Sequence, residues 1–370
     1  MKKLKKVLFI LHAPPPVHGS SMVGGFIRNS TRVNTVFNAR YINLGTSKNI
    51  DEIGKGGFQK VLRYLNILFK VLKQLVIFKP NVCYLAISAK GAAFYKDALV
   101  ALVIKSLGFK IIYHFHNKGV SENQGKRFDD LLYSWVFRNT YAILLSQHLY
   151  YDIKKYFSKN RVFYCPNGIP KLKKNDLKFR IKNNNDSIQL LFLSNLIESK
   201  GVFILLDALK ILKETTQSFN CVFVGGEGDV SEHQFNEYVK KLELSDHVQY
   251  LGKKYGSDKN EVFLAADIFI FPTFYHNETF GLVNLEAMQY SLPVISTPEG
   301  GIPDVIDDGE SGFLVPQKDT KALAEKIEQL IKDPILRMTM GAKGNRKYEK
   351  EFTLSIFETR LVNILSKVVL

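Results

Sequence analysis

Short apolar runs alternate with stretches of helical periodicity along the whole chain, and this alternation limits the fold more than any other feature. In the first half, apolar runs predict strands at 7–11, 82–87, 110–114, 142–146 and 161–165. Helical periodicity between them predicts helices at 21–30, 58–78, 92–107 and 128–138. Such alternation is typical of a parallel α/β sheet with helices on both faces.

The alternation stops at a Pro-Asn-Gly-Ile-Pro segment, 166–170, and a polar stretch at 171–186 follows, which we interpret as a linker. It then restarts, with strands predicted at 188–193, 221–224, 248–251, 268–271, 293–296 and 312–315. Helices are predicted at 202–214, 234–242, 258–265, 281–290, 320–332 and 334–352.

A chain of 370 residues is long for a single core, so two domains are expected. We predict two Rossmann-like doubly wound domains that face each other across a cleft, one at 1–170 and one at 171–353. A last helix at 354–370 exceeds what the second sheet needs and is expected to cross back onto the first domain. In such sheets ligands bind beyond the carboxyl ends of the strands.

Charge is unevenly distributed along the chain. Residues 1–170 contain 26 Lys and Arg against 7 Asp and Glu, a net +19, whereas residues 171–370 contain 25 against 28, a net −3; together they give the +16 of the chain. The asymmetry indicates a polyanionic partner for the first half: nucleic acid, an anionic membrane or a phosphorylated substrate. A Lys-rich genome composition is the alternative.

The three cysteines, Cys83, Cys165 and Cys221, lie in apolar runs without paired spacing. This excludes a disulfide framework and a Cys-rich zinc site, and it favours a reducing, cytoplasmic compartment. The basic N-terminus is similar to the start of a signal peptide, but the apolar run at 7–11 is too short for one. No run is long enough to span a bilayer.

The segment 271–294 carries the most specific motif. Glu278 lies in a polar loop after a predicted strand, Gly281 stands where a helix should begin, and Glu286 follows on that helix. Free backbone N–H groups at a helix start, here 280–283, bind diphosphate oxygens, and carboxylates accept hydrogen bonds from ribose and sugar hydroxyls. The alternative is an amphipathic helix with Glu on its solvent face.

Here the sequence resembles retaining glycosyltransferase family 4. The resemblance rests on the Glu278-x7-Glu286 pattern and the Leu-Pro-Val-Ile at 292–295, and further motifs lie at 196–201, 224–228, 248–252, 300–306 and 308–315. It is strong over about 160–350 and weaker in the first half, which implies an acceptor-binding domain at 1–170 and a nucleotide-sugar-binding domain at 171–353. It implies the GT-B fold, a nucleotide diphosphate sugar donor, retention of configuration and no metal or other cofactor.

The resemblance also implies roles for individual residues. Glu278 is similar to the carboxylate beside the donor sugar, Glu286 to the ribose ligand, and Lys200 to a cation on the diphosphate. The family has an Arg where this chain has Asn195, which removes one charge from the expected phosphate site. The donor-binding positions implied are Gly19, Ser20, Asn195, Lys200, Gly225, Thr279, Phe280, Gly281, Leu282, Val283 and Glu286.

Two motifs of the first half complete the candidate site. Gly19 and Ser20 follow the first strand, where the family carries a phosphate loop; Ser20 or Ser21 as a helix cap is the alternative. His116 aligns with a family His near the donor sugar, and a structural His is the alternative. We take Glu278, His116 and Lys200 as the catalytic set. His114 and His116 share one strand face if the strand persists, but the sequence offers no third metal ligand.

The predicted helix at 58–78 is strongly apolar and its charges are all positive. Such a helix can lie in an anionic membrane interface; a core-facing helix with a basic polar face is the alternative. Relatives with lipid-linked acceptors favour peripheral contact with the inner face of the cell membrane. No nucleic-acid recognition motif is present, so we expect no nucleic-acid partner.

The sequence therefore predicts a metal-independent retaining glycosyltransferase, a hexosyl- or N-acetylhexosaminyl-transferase. It would move a sugar from a nucleotide diphosphate sugar to a glycan or lipid-linked acceptor in surface polysaccharide or glycolipid synthesis. The alternatives are another GT-B enzyme, such as a phosphorylase or epimerase, and a non-catalytic sugar-binding protein.

Overall fold

The computed structural model describes residues 4–15, 19–45, 57–172, 187–215 and 219–369. The chain divides into two compact units, with Met1–Asn167 and Leu354–Leu370 in the first and Gly168–Thr353 in the second. The last helix thus belongs to the first unit. Most of the predicted linker, 173–186, lies outside the described residues.

The first unit contains a parallel sheet of six strands in the order β2-β1-β3-β4-β5-β6. The strands are β1 (Lys6–Leu11), β2 (Asn38–Asn43), β3 (Val82–Ile87), β4 (Ile111–Phe115), β5 (Tyr141–Leu144) and β6 (Val162–Tyr164). Strands β3 and β4 are buried along their whole length, as expected for strands covered on both faces. The strand order reverses between β1 and β3, which makes their carboxyl ends the switch point of this unit.

The helices of the first unit follow the strands in the chain. They are α1 (Gly19–Asn29), α2 (Thr31–Val36), α3 (Phe58–Phe78), α4 (Gly91–Ser106), α5 (Val120–Asn123), α6 (Arg127–Phe137), α7 (Tyr150–Ile153) and, after the second unit, α15 (Leu354–Val368). Helix α15 packs against α2.

The second unit has its own six-stranded parallel sheet, in the order β12-β11-β10-β7-β8-β9. The strands are β7 (Ile188–Leu193), β8 (Phe219–Val224), β9 (Val248–Tyr250), β10 (Ile268–Phe271), β11 (Val294–Ser296) and β12 (Gly312–Leu314). The order is that of the Rossmann fold, and it reverses between β7 and β10. The loops after these two strands therefore start side by side.

The helices of the second unit complete the doubly wound arrangement. They are α8 (Val202–Thr215), α9 (Glu232–Lys241), α10 (Gly256–Ala265), α11 (Leu282–Gln289), α12 (Ile302–Val305), α13 (Thr320–Lys332) and α14 (Pro334–Glu351). Helix α9 begins with a capping box between Ser231 and Gln234.

The doubly wound α/β class predicted from sequence is confirmed, and the two differences of note are in the first unit. Strand β2 was not predicted, because its residues alternate between exposed and partly buried positions at the sheet edge. Helix α1 begins at Gly19, two residues before the predicted start, so Ser20 and Ser21 lie within its first turn, and the alternative in which either caps the helix does not apply.

Candidate functional site

The loops that follow β7 and β10 meet at the switch point of the second unit. Backbone N–H of Phe274 donates to the carbonyl of Ser199 at 2.8 Å, which fastens one loop to the other. Lys200 Nζ lies 2.5 Å from Glu278 Oε2. The two side chains are 15% and 14% exposed, respectively. Two residues 78 apart in sequence thus form a partly buried ion pair at the edge where ligands bind in this class of fold.

Glu278 also contacts the start of helix α11. Its Oε1 accepts a hydrogen bond of 3.0 Å from the backbone N–H of Gly281, the residue that precedes the helix. Its carboxylate therefore lies between an ammonium group and the positive end of a helix dipole. The expectation of free N–H groups over 280–283 needs correction at Gly281, whose N–H is already bonded.

Gly281 itself requires the absence of a side chain. Its φ is +68°, and a Cβ would lie 2.8 Å from Nδ2 of Asn284. Asn284 is fully buried, and neither atom of its amide has a hydrogen-bond partner among the described residues. The first turn of α11 thus holds a polar group whose hydrogen-bonding capacity is unused.

Aromatic rings surround the ammonium of Lys200. It lies 4.4 Å from the ring centroid of Tyr275 and 5.4 Å from that of Phe271. Gly201, at φ +90°, lets the Lys200 turn press against the end of β10, since a Cβ there would lie 2.3 Å from the carbonyl oxygen of Pro272. These contacts fix the position of the cation.

Glu286, eight residues after Glu278, has a different partner. Its Oε2 lies 2.6 Å from Nζ of Lys259 on α10, and both side chains are partly exposed. Sequence reasoning did not find Lys259, because nothing in its local pattern distinguishes it from an ordinary surface lysine. Each carboxylate of the motif is therefore paired with its own lysine.

Asn195 follows β7 and organises the neighbouring loop. Its Oδ1 accepts a hydrogen bond of 3.1 Å from the backbone N–H of Gly226. Gly225, at φ +152°, packs against the Ser194 carbonyl so closely that a Cβ would clash with it. Lys253, just after β9, lies over Gly226: a Cβ on that glycine would be 2.2 Å from Lys253 Cε. A lysine from the loop after β9 thus reaches the surroundings of Asn195.

The remaining predicted positions of the second unit lie around the start of α11. Thr279 and Phe280 are buried, and the Phe280 ring packs 5.9 Å from that of Phe352, so its side chain belongs to the core. Leu282 and Val283 form the first turn of the helix and are partly buried. At a helix start, the groups that can bind an anion are the backbone N–H groups of these residues and not their side chains.

In the first unit, Gly19 and Ser20 occupy the first turn of α1, which follows β1. Gly19 is exposed and Ser20 is partly buried. They lie beyond the carboxyl end of β1, one of the two strands at which the order of this sheet reverses. The structure thus places both at the switch point of the first unit.

His116 follows directly after β4, which ends at Phe115. Its ring lies 4.1 Å from the ring of His114, at an interplanar angle of 39°. His114 is fully buried, its Nδ1 is 2.5 Å from the Tyr84 hydroxyl, and burial lowers its pKa well below the usual value. In the described ranges, no three side chains of His, Cys, Asp or Glu are arranged to hold a metal ion.

A cavity of about 420 Å³ lies elsewhere in the second unit. Helix α10, strands β7 and β8 and the segment after β9 line it, with Val222, Leu251 and Val262 on its walls and Asp258 and Glu261 from the helix. None of the sequence-predicted site residues lines this cavity. The predicted residues instead follow the carboxyl ends of strands, namely β1 and β4 in the first unit and β7, β8 and β10 in the second.

Residues 173–347 match the family described as Glycosyl transferases group 1. This range is a little under half of the chain and covers most of the second unit. The chain therefore contains a group 1 glycosyl transferase domain.

Two curated relatives act in polysaccharide synthesis according to their names. The capsular polysaccharide biosynthesis glycosyltransferase CapM of Staphylococcus aureus is 31% identical over 192 residues, 48% of this chain and 48% of CapM. The amylovoran biosynthesis glycosyltransferase AmsK of Erwinia amylovora is 29% identical over 197 residues, 51% of this chain and 48% of AmsK. The chain spans about half the length of these relatives.

Among solved structures, HepE of Anabaena in complex with UDP is similar over 98% of this chain and 100% of its own, with a TM-score of 0.76 and 18% identity. HepE in complex with UDP-glucose gives a TM-score of 0.73 at 19% identity, over 98% and 99% of the two chains. At such identities the likeness concerns the fold alone. The chain has the two-domain GT-B fold.

Proposed function

We propose that this protein is a retaining glycosyltransferase that transfers a sugar from a nucleotide diphosphate sugar to a glycan or lipid-linked acceptor hydroxyl. The observation that carries the proposal is the group formed by Lys200, Glu278 and the start of α11 at the switch point of the second sheet. It combines a fixed cation, a carboxylate and helix N–H groups within one small volume. The group 1 domain match over the same residues supports this assignment.

The donor diphosphate is proposed to bind between Lys200 and the first turn of α11. A helix start and a lysine are a common pair of phosphate ligands, because both present hydrogen-bond donors and positive charge. Lys200 is neutralised by Glu278 at 2.5 Å. Diphosphate oxygens would compete with Glu278 for Lys200 and leave the carboxylate to accept hydrogen bonds from sugar hydroxyls.

Asn195 stands where the family has an Arg, and we propose that Lys253 supplies the missing charge. Lys253 lies over Gly226, the residue whose N–H the Asn195 side chain holds. It is exposed, and it forms no ion pair with any residue that the structure describes. Its ammonium is therefore available to an anion at the ends of β7 and β8.

Catalysis in this proposal consists of positioning and charge stabilisation, with no metal. As the glycosidic bond to the diphosphate breaks, negative charge grows on the leaving oxygens, and Lys200, Lys253 and the α11 start would stabilise it. The leaving diphosphate would accept the proton of the acceptor hydroxyl. Glu286 would hold the ribose once it exchanges its contact with Lys259, and His116 would contact the donor sugar.

The acceptor is proposed to belong to surface polysaccharide or glycolipid synthesis, because CapM and AmsK carry such names. A lipid-linked acceptor would bring the protein to the inner face of the cell membrane as a peripheral enzyme. No helix among the described residues combines the length and apolar character that crossing a bilayer requires.

The test is a transfer assay with UDP-, GDP-, ADP- and dTDP-sugars and a lipid-linked glycan extract. We expect one donor class to be consumed with EDTA present, and the product to keep the anomeric configuration of the donor by NMR. Glu278→Gln should lower turnover about 100-fold, the typical loss when one stabilising group is removed. Glu310→Gln, which breaks a Lys–Glu pair on the surface of the same unit, is the matched control.

Three results would contradict the proposal. Consumption that requires inorganic phosphate would indicate a phosphorylase, and conversion of the donor without an acceptor would indicate an epimerase. Full activity of Glu278→Gln would remove the residue assignment.

A further inference from the structure

Large apolar side chains are exposed mainly on one part of the first unit. Of the 21 such side chains among the described residues, thirteen lie on helices α3, α4 and α6, and three lie in the second unit. The thirteen are Phe58, Val61, Leu62, Leu65, Phe69, Leu72, Val76, Ile77, Tyr95, Leu99, Phe128, Leu131 and Trp135. We call this set the apolar platform. Its size exceeds what scattered surface residues of a monomer explain.

Helix α3 has two apolar faces. Ile67, Val71, Leu75 and Phe78 are buried and recur every three or four residues, so they form the face packed on the unit. The exposed residues of the range 58–76 also recur every three or four residues and lie on the opposite side. The core therefore uses only one of the two faces, and a core-facing role does not account for the exposed one.

Helices α4 and α6 extend this surface beyond α3. The Tyr64 hydroxyl of α3 donates to the Lys96 carbonyl of α4 at 2.6 Å. The Tyr95 hydroxyl of α4 donates to Asp129 of α6 at 2.7 Å, and its ring lies 6.0 Å from that of Phe128. Exposed residues of α6 at positions 128, 131 and 135 share one helix face. The three helices thus present one surface.

The chain's single tryptophan lies on this surface. Trp135 is 62% exposed, and its backbone carbonyl accepts a hydrogen bond from Lys105 of α4. The same ammonium donates to the carbonyls of Val136 at 3.1 Å and Arg138 at 2.9 Å. These bonds fix the backbone of the last turn of α6, which carries Trp135.

Within helix α3, the charges that accompany the apolar platform are all positive. Helix α3 contains no acidic residue and carries Lys60, Arg63, Lys70 and Lys73. On α4 and α6, Asp97 and Asp129 are buried, and Asp130 is paired with Lys155 at 2.6 Å. The platform thus combines apolar side chains with a basic border.

We propose that the apolar platform docks on an anionic lipid bilayer, with side chains from α3 and α6 in the interface together. Apolar side chains next to Lys and Arg match a surface that is apolar below a negatively charged headgroup layer. A second copy of this chain fits less well, because a symmetric contact would place like charges against each other. This inference rests on the proposed function in one respect, since the lipid-linked acceptor is the reason for binding a membrane. The observations that support the docking surface do not depend on that function.

The experiment uses the full chain, no sugar donor, and vesicles of phosphatidylglycerol and phosphatidylcholine. Since Trp135 is the only tryptophan, its fluorescence reports on α6 directly. We expect a blue shift on vesicle addition, quenching by brominated lipid, and loss of both with pure phosphatidylcholine at 0.5 M salt. Phe69→Glu on α3 and Leu131→Glu on α6 should each weaken vesicle binding at least tenfold in flotation assays.

Controls keep the test specific. Met338→Glu, which replaces an exposed apolar side chain of the second unit, should leave binding unchanged. The substituted side chains are exposed, and circular dichroism checks that the variants are folded.

Three results overturn the inference: no Trp135 response to anionic vesicles, full binding by Leu131→Glu, or a dimer in sedimentation that Phe69→Glu dissociates. Donor turnover in solution, assayed separately, is unaffected by any of these results and decides the proposed function.

Discussion

At the scale of single residues, the charges of the candidate donor site come from three different parts of the chain. The cations are Lys200 after β7, Lys253 after β9 and Lys259 on α10. The carboxylates are Glu278 and Glu286, on either side of the start of α11. Two of these lysines neutralise the two carboxylates in the structure. Lys253 is the lysine that we propose contacts the diphosphate, in place of the charge missing at Asn195.

The exchange of charge between positions 195 and 253 is directly testable. Lys253→Gln should weaken binding of the preferred nucleoside diphosphate about tenfold, the effect of losing roughly 1.4 kcal/mol from a charge-assisted contact. Adding Asn195→Arg to that variant should restore affinity, because the charge returns to the neighbourhood of Gly226, which both side chains contact. Calorimetry measures both, with Lys240→Gln on the exposed side of α9 as control.

If Lys253→Gln binds as tightly as the wild type, the ammonium does not reach the diphosphate. If Asn195→Arg fails to restore affinity, the two positions do not serve the same anion. The first result would leave the site with Lys200 as its one assigned cation among the described residues.

The sequence predicted individual site residues but not their pairing. Glu278, Glu286 and Lys200 stand out through motif spacing, whereas Lys253 and Lys259 lie in a run of ordinary surface type. Contacts across 78 residues, such as Lys200 with Glu278, depend on which strands are neighbours in the sheet. That order follows from the packing of the whole unit and cannot be read from local periodicity.

At the scale of elements, apolar periodicity identified the buried strands and the long helices. Helix α3 was predicted at its observed bounds, because its pattern is long and regular. Strand β2 was missed, because an edge strand with polar residues has little hydrophobic signal. The Pro- and Gly-containing break at 166–170 falls at the observed change from the first unit to the second.

Helix α4 carries a buried carboxylate whose titration affects stability. Burial raises the pKa of Asp97 from 3.8 to about 6, although its Oδ2 accepts a hydrogen bond of 2.8 Å from the Ser88 N–H. The folded state therefore holds the Asp97 proton more tightly than the unfolded state. The contribution of Asp97 to the free energy of unfolding is fully present below about pH 4 and is lost as the pH rises through about 6.

Asp97→Asn should therefore raise the free energy of unfolding of the first unit at pH 8 by about 1–3 kcal/mol, since a pKa unit corresponds to about 1.4 kcal/mol. At pH 4.5 the variant and the wild type should differ little. Urea unfolding followed by Trp135 fluorescence measures this, and Asp246→Asn, an exposed position, is the control.

The comparison of variant with wild type is necessary because His12 acts in the opposite direction. Burial, with a smaller effect of Lys96, lowers the pKa of His12 to about 4, so its contribution to stability is lost as the pH falls from 6.5 towards 4. A variant that is less stable than the wild type at pH 8 would show that the charged Asp97 carboxylate stabilises α4.

At the scale of the whole molecule, the two units divide the chemistry. The second unit is close to neutral and holds the paired lysines and carboxylates at its switch point, within the range that matches the glycosyl transferase domain. The first unit is strongly basic and carries the apolar platform on α3, α4 and α6. The charge asymmetry seen in the sequence is thus concentrated on the unit that we assign to the membrane and the acceptor.

The central claim is that the Lys200 turn and the start of α11 bind the diphosphate of a nucleotide sugar. Calorimetric titration of UDP, GDP, ADP and dTDP into the full chain and into Lys200→Gln tests it most directly. We predict that one nucleoside diphosphate binds the wild type and that Lys200→Gln binds it at least about tenfold more weakly, because the cation is lost and Glu278 is left unpaired beside the phosphate. Equal affinity of the two proteins, or no binding of any of the four to the wild type, would contradict the claim.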